Sequence, residues 1–327
     1  MSDIAVIIPT FRRPDSLARA LSSVLVQTDG DQLIGEIVVV DNAPEGSARL
    51  TVDRIRRADG PIIRYVHARE PGVSNARNAG LAASTAPLIA FLDDDEEAPA
   101  DWLNNLHATH TGCRADVTFG PVQGRADQAA AWKRAYLDRF FSRVGPVDSG
   151  VINATYGCGN SMMTRATTLF GPAPFDLAAN EVGGEDDRLF ERLCGQGCRF
   201  AWAADAWVFE HAPERRQTVR YALSRALGYG QAPPQTAARA GDWLGVLRWM
   251  AIGGAQAVVY GAMALVMALV SPARALPLAD RATRGLGKIY WFGKLRFYGL
   301  RALRTTAPSG RASLNAMAAK ISHNWSL

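Results

Sequence analysis

The sequence predicts an α/β fold: a mostly parallel central sheet flanked by helices, followed by a C-terminal helical appendage. Three observations carry this. Over the first hundred residues, compact β-branched runs alternate with apolar residues at helical spacing, the pattern of βαβ units with helices on both faces of a sheet. Three of those runs end in polar or acidic residues, Thr10, Asp41 and Asp93-Asp94-Asp95. A parallel sheet gathers such ends at one edge, where ligands bind in open α/β folds. Charge is also divided unevenly. From Trp243 onward there are eleven Lys/Arg and one acid, Asp280, leaving 25 basic and 30 acidic residues in 1–242. A mildly acidic body therefore carries a basic, apolar tail, a division that points to an anionic membrane surface or nucleic acid.

The elements follow in order. Residues 4–8 form a first strand closed by Pro9-Thr10, and Asp15 is placed to cap a helix whose Leu17, Ala20, Leu21, Val24 and Leu25 repeat at helical spacing. Residues 36–40 form a second strand ending at Asp41-Asn42, and 62–67 a third. Ser74 opens a helix through Leu81, and 87–92 is the fourth strand. Beyond residue 115 come a short strand at 117–119 and a helix at 129–141 with an aromatic face (Trp132, Tyr136, Phe140). A Gly/Ser/Asn-rich stretch, 145–160, reads as a substrate-facing loop, and a strand follows at 161–164. Gly183-Gly184-Glu185-Asp186-Asp187 leads a helix carrying Leu189, Phe190 and Leu193. Residues 200–208 read as one strand before Glu210-His211, and 215–230 as a helix. The division expected is a catalytic domain over 1–232, with a nucleotide-binding half (1–100) and an acceptor-binding half (101–232). A linker containing Pro233-Pro234 spans 233–242, and the tail is 243–327.

Several classes are excluded or disfavoured. No Gly-x-Gly-x-x-Gly follows the first strand and no Gly-x-x-x-x-Gly-Lys is present, so phosphates must be held by side chains and metal. The cysteines, Cys113, Cys158, Cys194 and Cys198, are scattered. Cys194 and Cys198 have the spacing of a metal pair, but no second Cys/His pair at zinc spacing accompanies them, so packing cysteines of a reducing compartment are expected. Residues 1–9 are strand-like and lack the basic, apolar pattern of a secretory signal.

Chemistry concentrates in two acid runs. Three carboxylates crowded at a strand end, Asp93 to Asp95, repel one another unless a cation holds them. A hard divalent ion bound through oxygen, its shell completed by phosphates, answers this; a solvated acidic loop is the alternative. The acids at 185–187 either complement a helix dipole or face a ligand that the two preceding glycines allow to approach.

Taken together, Val6-Ile7-Ile8-Pro9-Thr10-Phe11, Val39-Val40-Asp41-Asn42, Gly72-Val73-Ser74-Asn75-Ala76-Arg77-Asn78-Ala79-Gly80, Phe91-Leu92-Asp93-Asp94-Asp95 and Gly184-Glu185-Asp186-Asp187 resemble, in order, the motifs of family 2 glycosyltransferases. The Gly-Gly-Glu-Asp-Asp block and the segment 210–215 are most similar to bacterial succinoglycan-type glucosyltransferases. The resemblance implies a GT-A fold and a UDP-sugar donor with Mg²⁺ or Mn²⁺. It implies that Asp41 accepts from uracil N3–H, that Pro9 and Thr10 lie along the uridine, and that Arg12 belongs to the same donor-binding set. Arg77 would face the base or the diphosphate, or else be a surface arginine. Asp94 would lie near the ribose and Asp95 would ligate the metal. Asp93 would ligate directly, act through water, or shape the loop. Asp186 would be the catalytic base, with Asp187 its competitor, and Glu185 would contact the acceptor. His211 would touch phosphate or metal, or else be an ordinary structural histidine. Direct attack would invert the anomeric centre, turning an α-linked donor into a β-glycoside, with a glycan or lipid-linked saccharide as acceptor. The rival readings are a sugar nucleotidyltransferase, for which Phe11-Arg12-Arg13-Pro14 is a thin triphosphate loop, and a non-catalytic sugar-binding or membrane-scaffold protein.

In the tail, 249–270 is 22 residues with Gln256 the only strongly polar one, about 33 Å as a helix and long enough to cross a bilayer. Nine basic residues between Arg274 and Arg311 follow it. Positive-inside reasoning keeps them on the cytosolic side, where nucleotide sugars and the catalytic body lie. Both flanks on one side favour a re-entrant hairpin or an interfacial helix, with a buried hairpin or a dimer interface as the alternative. Tyr290, Trp291, Phe292, Phe297 and Tyr298 among Lys288, Lys294 and Arg296 suit the headgroup zone. The expectation is peripheral or monotopic attachment to the cytoplasmic face of a bacterial inner membrane, with 243–311 on an anionic surface. No nucleic-acid partner is expected, and a homo-oligomer is left open.

Overall fold

A computed structural model describes residues 3–56, 60–181 and 183–293; Lys294, Arg296, Phe297, Tyr298 and the basic residues beyond them lie outside these. The elements in chain order are β1 (Ile4–Thr10), α1 (Pro14–Val24), α2 (Gly30–Leu33), β2 (Ile34–Asp41), α3 (Arg49–Ile55), β3 (Ile62–His67), α4 (Val73–Ala82), β4 (Leu88–Phe91), β5 (Glu96–Glu97), α5 (Trp102–Gly112), β6 (Val117–Phe119), β7 (Val122–Arg125), α6 (Ala131–Phe141), β8 (Gly150–Ile152), β9 (Ser161–Thr164), α7 (Arg165–Thr168), α8 (Glu185–Gly195), β10 (Phe200–Trp202), β11 (Val208–His211), α9 (Val219–Arg239), α10 (Trp243–Val270) and α11 (Pro272–Ile289).

The main sheet has the order β3-β2-β1-β4-β9-β6-β10-β8. Its first four strands are parallel, as expected, and β9 enters antiparallel between β4 and β6. Chain order reverses between β1 and β4, which places a topological switch point, and hence a crevice, beside Thr10. A second sheet, β5-β11-β7, stands next to the end of β4.

Alternation along β1 explains the layers. Ile4, Val6 and Ile8 pack with Leu17, Leu21 and Val24 of α1 and with Trp102 and Leu106 of α5. Ala5 and Ile7 face the other way, into a core with Ala76 and Leu81 of α4 and Leu189, Phe190 and Leu193 of α8. A strand buried on both faces reads as a continuous apolar run, which is what residues 4–8 show. Each fully buried aliphatic or Phe side chain here contributes about 1.5–3 kcal/mol of transfer free energy, so the strand ends are held rigidly.

Several expectations need correction. Pro14 starts α1, so Asp15 lies in the first turn and Arg13 takes the N-cap position; proline suits the first helical turn because its missing N–H has no partner there. Gly72 precedes α4, and Ser74, inside the first turn, donates its hydroxyl to Asp176 O at 2.8 Å instead of capping. Residues 200–208 are two strands in two different sheets, not one. The stretch 233–242, expected as a linker, is helical through Arg239, with Pro233 and Pro234 inside α9. Each proline removes one helical hydrogen bond, yet the helix continues, and beside the pair Gln231 and Gln235 donate to Tyr290 O and Trp291 O, just past the end of α11, at 2.7 and 2.8 Å.

Helix α10 turns back at Ser271 into α11 and runs antiparallel to it, with Tyr260 beside Arg281 and Trp243 beside Trp291. Helix α11 is fixed to the body, where Tyr136 of α6 donates to Asp280 at 3.0 Å. Among the described residues, α10 is the one helix long and apolar enough to cross a membrane, with mean hydropathy 1.8 over its most apolar window and 6% of that window buried.

Candidate active site

The edge of the sheet at the switch point collects both acid runs. Thr10 at the end of β1 donates its hydroxyl to Asp94 Oδ2 at 2.8 Å, so the expected convergence of Thr10 with the β4 acids occurs across the crevice. Arg13, in the turn between β1 and α1, donates to Asp94 Oδ1 at 2.8 Å and to Asp95 Oδ2 at 2.7 Å. Asp94 is therefore satisfied within the chain. Burial outweighs Arg13 there and pushes its pKa up to about 6. Asp93 lies over the chain at Gly159, where a Cβ would stand 2.5 Å from Asp93 Oδ2, so only glycine permits this approach. Burial raises the Asp93 pKa, with repulsion from Asp95 and Asp186 adding to it.

The second run is tied to the first by Arg77. This side chain, 4% exposed, projects from α4. Its guanidinium donates to Glu185 Oε1 at 2.8 Å and to Asp186 Oδ1, and stands 3.7 Å from Asp93 Oδ1. The Phe175 ring lies 5.4 Å beneath it. Gly183 and Gly184 both have positive φ, 79° and 82°, so the glycine pair makes the turn that aims the acids of α8 back at α4. Asp186 Oδ2 also accepts from Cys158 N at 2.9 Å. Burial alone would raise the Asp186 pKa, but Arg77 and these hydrogen bonds outweigh it and hold the carboxyl below its usual range. Glu185 shows the opposite balance: burial and repulsion from Asp186 exceed the pull of Arg77 and push it up to about 7. Asp187 is exposed and outside this network.

Other expected site residues are placed differently. Asp41 has no solvent exposure: it accepts from Ala43 N at 3.0 Å, Ala48 N at 2.6 Å and Tyr65 OH at 3.0 Å. Its carboxylate braces the loop after β2 and presents no free edge to a base in this conformation. Pro9 is half-buried in β1. Arg12 leaves the site, pairing with Glu45 at 2.6 Å in solvent. Arg77 is buried rather than a surface arginine, and it faces the second acid run with Asp93 3.7 Å away. His211 donates its main-chain N–H to Asp95 O at 2.8 Å, yet its ring nitrogens face Glu97 at 2.8 Å and Asp127 at 3.5 Å. Among the described residues, no three His, Cys, Asp or Glu side chains are arranged to hold a metal ion, so Asp93, Asp95 and His211 do not form one ligand set.

Arg13, Arg143, Cys158 and Glu210 are site residues that sequence reasoning missed. Arg13 had a signal, since a cation directly after the central strand must lie beside the neighbouring strand's acids. Glu210 pairs with Glu96 across β11 and β5, and burial followed by repulsion from Asp95 pushes its pKa up to about 8. A strand of two residues leaves no pattern to find.

The family model for glycosyl transferase family 2 matches residues 5–168. Among curated proteins, the chain is 32% identical over 281 residues to the succinoglycan biosynthesis protein ExoM of Rhizobium meliloti (strain 1021), covering 86% of this chain and 89% of that one. It is 35% identical over 125 residues to validoxylamine A glucosyltransferase of Streptomyces hygroscopicus subsp. limoneus, covering 37% of this chain and 27% of that one. Among solved structures, residues 1–349 of S. aureus TarS in complex with UDP superpose with a TM-score of 0.51 at 16% identity, covering 90% and 93% of the two chains. GalNAc-T7 with UDP, GalNAc and Mn²⁺ gives 0.50 at 17%, covering 72% and 51%. An α/β body with acids at the switch point, a relative 32% identical over 86% of this chain and a family match over half the chain agree: the chain belongs to glycosyl transferase family 2, has the GT-A fold and is a glycosyltransferase.

Proposed function

We propose that this glycosyltransferase is an inverting, divalent-metal-dependent enzyme that moves a sugar, glucose foremost, from a UDP-sugar to a hydroxyl of a glycan or lipid-linked saccharide in bacterial surface or exopolysaccharide synthesis. The observation that carries it is the meeting of the two acid runs at Arg77, which touches Asp186 and stands 3.7 Å from Asp93. Donor-side and acceptor-side carboxylates thus share one cleft, as a transfer between two bound sugars requires. UDP in the TarS complex, and UDP with Mn²⁺ in that of GalNAc-T7, are compatible with the donor proposed, and the relation to ExoM supports the pathway.

The chain's own residues account for the chemistry. Asp186 accepts the proton of the acceptor hydroxyl as it attacks, a role worth about 10²–10⁴ in rate for a well-placed general base. Its depressed pKa keeps it ionised and ready, and its position in the Arg77 network favours it over exposed Asp187. Glu185, beside it, contacts the acceptor. The donor side fits a hard cation by its donor set. Its side chains offer only oxygen, and Asp93, Asp94, Glu96 and Glu210 all have pKa values raised by burial and mutual repulsion despite Arg13 and Arg143. Asp95 and Asp93 would hold the ion, with donor phosphates completing its shell. When bound, such an ion neutralises charge on the diphosphate leaving group. Arg13, bonded to Asp94 and Asp95, is a protein cation on that side.

Attachment to the cytoplasmic face of the inner membrane, peripheral or monotopic, is proposed for the hairpin of α10 and α11. Leu244, Leu265 and Leu269 of α10 are 79%, 74% and 90% exposed, and burying such a surface in lipid is favourable. The aromatic rings of Trp243, Tyr290, Trp291 and Phe292 gather at the opposite end from the α10–α11 turn, where they suit a headgroup belt around an inserted tip. An anionic surface matches the basic tail.

The test is UDP release by the purified, detergent-solubilised protein across a panel of nucleotide sugars, with Mn²⁺, Mg²⁺ or EDTA. Slow, EDTA-sensitive hydrolysis of one UDP-sugar supports the reading and names the donor. Pyrophosphate release from a nucleoside triphosphate would overturn it in favour of a nucleotidyltransferase.

A further inference from the structure

Arg143 lies among the acids of the cleft, yet the mechanism above leaves it unused. It follows α6 and forms a two-bond antiparallel bridge with Val122. Its guanidinium collects carbonyls, not carboxylates. It donates to Gly120 O at 2.9 Å, Gly157 O at 3.0 Å, Gly159 O at 2.6 Å and Asn160 O at 3.3 Å. A planar fork of five N–H groups can do this in one fixed geometry, whereas a lysine ammonium presents three donors from a single point.

Three of those carbonyls belong to the strap 157–160 that leads into β9, and the strap lies between the two acid runs. On one side, Cys158 N donates to Asp186 Oδ2 at 2.9 Å. On the other, a Cβ at Gly159 would meet Asp93 Oδ2 at 2.5 Å and Glu96 Oε1 at 3.0 Å. The far end is pinned by Asn160. Its amide donates to Pro121 O and Ala206 O at 2.8 Å each and accepts from Trp102 Nε1 at 2.7 Å.

We propose that Arg143 is a positioning residue for glycosyl transfer: by gripping the carbonyls of Gly157 and Gly159 it fixes the Cys158 N–H that orients Asp186, and so sets the spacing between the base and Asp93. The inference rests on Asp186 being the base. It requires that Arg143 act on turnover and leave donor binding alone.

The experiment compares Arg143→Lys, Gly157→Ala and Asp186→Asn in the full-length protein. It measures kcat with the donor identified by the panel, donor Kd by titration calorimetry, and Tm. Arg143→Lys keeps the charge but loses the fork, and its kcat should fall about 10–100-fold, the range for loss of an outer-shell orienting contact, with donor Kd within about twofold. Gly157→Ala places a methyl 3.3 Å from Arg143 Nη1 and 3.5 Å from Asp186 Oδ2. It should keep the wild-type Tm and lower kcat by a smaller factor. A folded Arg143→Lys protein with wild-type kcat, or one that loses donor affinity at unchanged kcat, overturns the inference. Should Arg143→Lys not fold, Gly157→Ala decides it, and unchanged kcat there overturns it. An inactive Asp186→Asn beside fully active strap variants removes only the role of Arg143. An active Asp186→Asn removes the base assignment and this inference with it.

Discussion

Asp93 to Asp95 after β4 and Glu185 to Asp187 opening α8 are both three acids in a row, but they are answered by different arginines. Arg13, a quarter exposed, holds Asp94 and Asp95; Arg77, 4% exposed, holds Glu185 and Asp186. On the donor side, carboxylates stay in excess, and Asp93, Glu96 and Glu210 are all raised by burial and by one another. In the second run burial raises Glu185 and Asp187 as well, but Asp186, held by Arg77 and the Cys158 N–H, is lowered. Under the proposed mechanism the difference between Asp186 and the acids after β4 separates two tasks. A group that must attract a cation and release a diphosphate keeps unmatched negative charge. A base must stay ionised and aimed, so it receives a buried partner and an N–H.

The largest expected effect is on the acceptor side. Asp186→Asn should lower kcat by about 10²–10⁴ while leaving donor affinity within about twofold in calorimetry. Next, Arg77→Met removes the cation from buried Glu185 and half-buried Asp186 and should cost about 3–5 kcal/mol of stability in urea unfolding, the range for removing one partner of a buried pair. Arg13→Met should cost visibly less, because solvent already reaches and screens the Arg13 guanidinium and Asp94 keeps the Thr10 hydroxyl. Equal losses would erase the contrast. Asp95→Ala should abolish the Mn²⁺-dependent part of donor binding, and unchanged affinity in a Mn²⁺ titration would remove that role.

A smaller effect concerns pH. Glu185 and Glu210 are pushed up to about 7 and about 8 in the folded chain, against about 4.3 for an unperturbed Glu. The folded state then binds protons that the unfolded state takes up only at lower pH, so these groups make stability rise as pH falls from 8 to 5.5. Asp186, lowered in the fold, acts oppositely only below its ordinary range. Scanning calorimetry in EDTA should show a higher Tm at pH 5.5 than at pH 8, with Mn²⁺ reducing the difference. A lower Tm at pH 5.5 in EDTA would contradict the charge excess. Outside the cleft, paired Leu265→Lys and Leu269→Lys changes should shift the full-length protein from membrane to soluble fractions.

Much of the first half was legible because strands buried on both faces, β1 above all, leave continuous apolar runs; β3, a half-exposed edge strand, also has the bounds expected for it. The motifs also located the cleft: Thr10 meets Asp94 across the sheet edge, and Arg77 links Glu185 and Asp186 to Asp93. What sequence could not supply was reach. Arg13 is 81 residues from Asp94 and Arg77 is 108 from Glu185, and long side chains choose partners by tertiary position. Asp41 illustrates the same limit, because a strand-end carboxylate serves a ligand or its own loop depending on where residues 43–48 fold. The second sheet was invisible since β5 has two residues, too short for any period. The proline pair misled because local propensity yields to packing, and α9, packed on α11, continues through it.

The most direct test of this division of labour is one calorimetric and kinetic comparison of Asp186→Asn with Asp95→Ala, using the same UDP-sugar with Mn²⁺. Asp186→Asn should bind donor as wild type and not turn over, whereas Asp95→Ala should fail to bind it in a metal-dependent way. Wild-type turnover by Asp186→Asn would contradict that division.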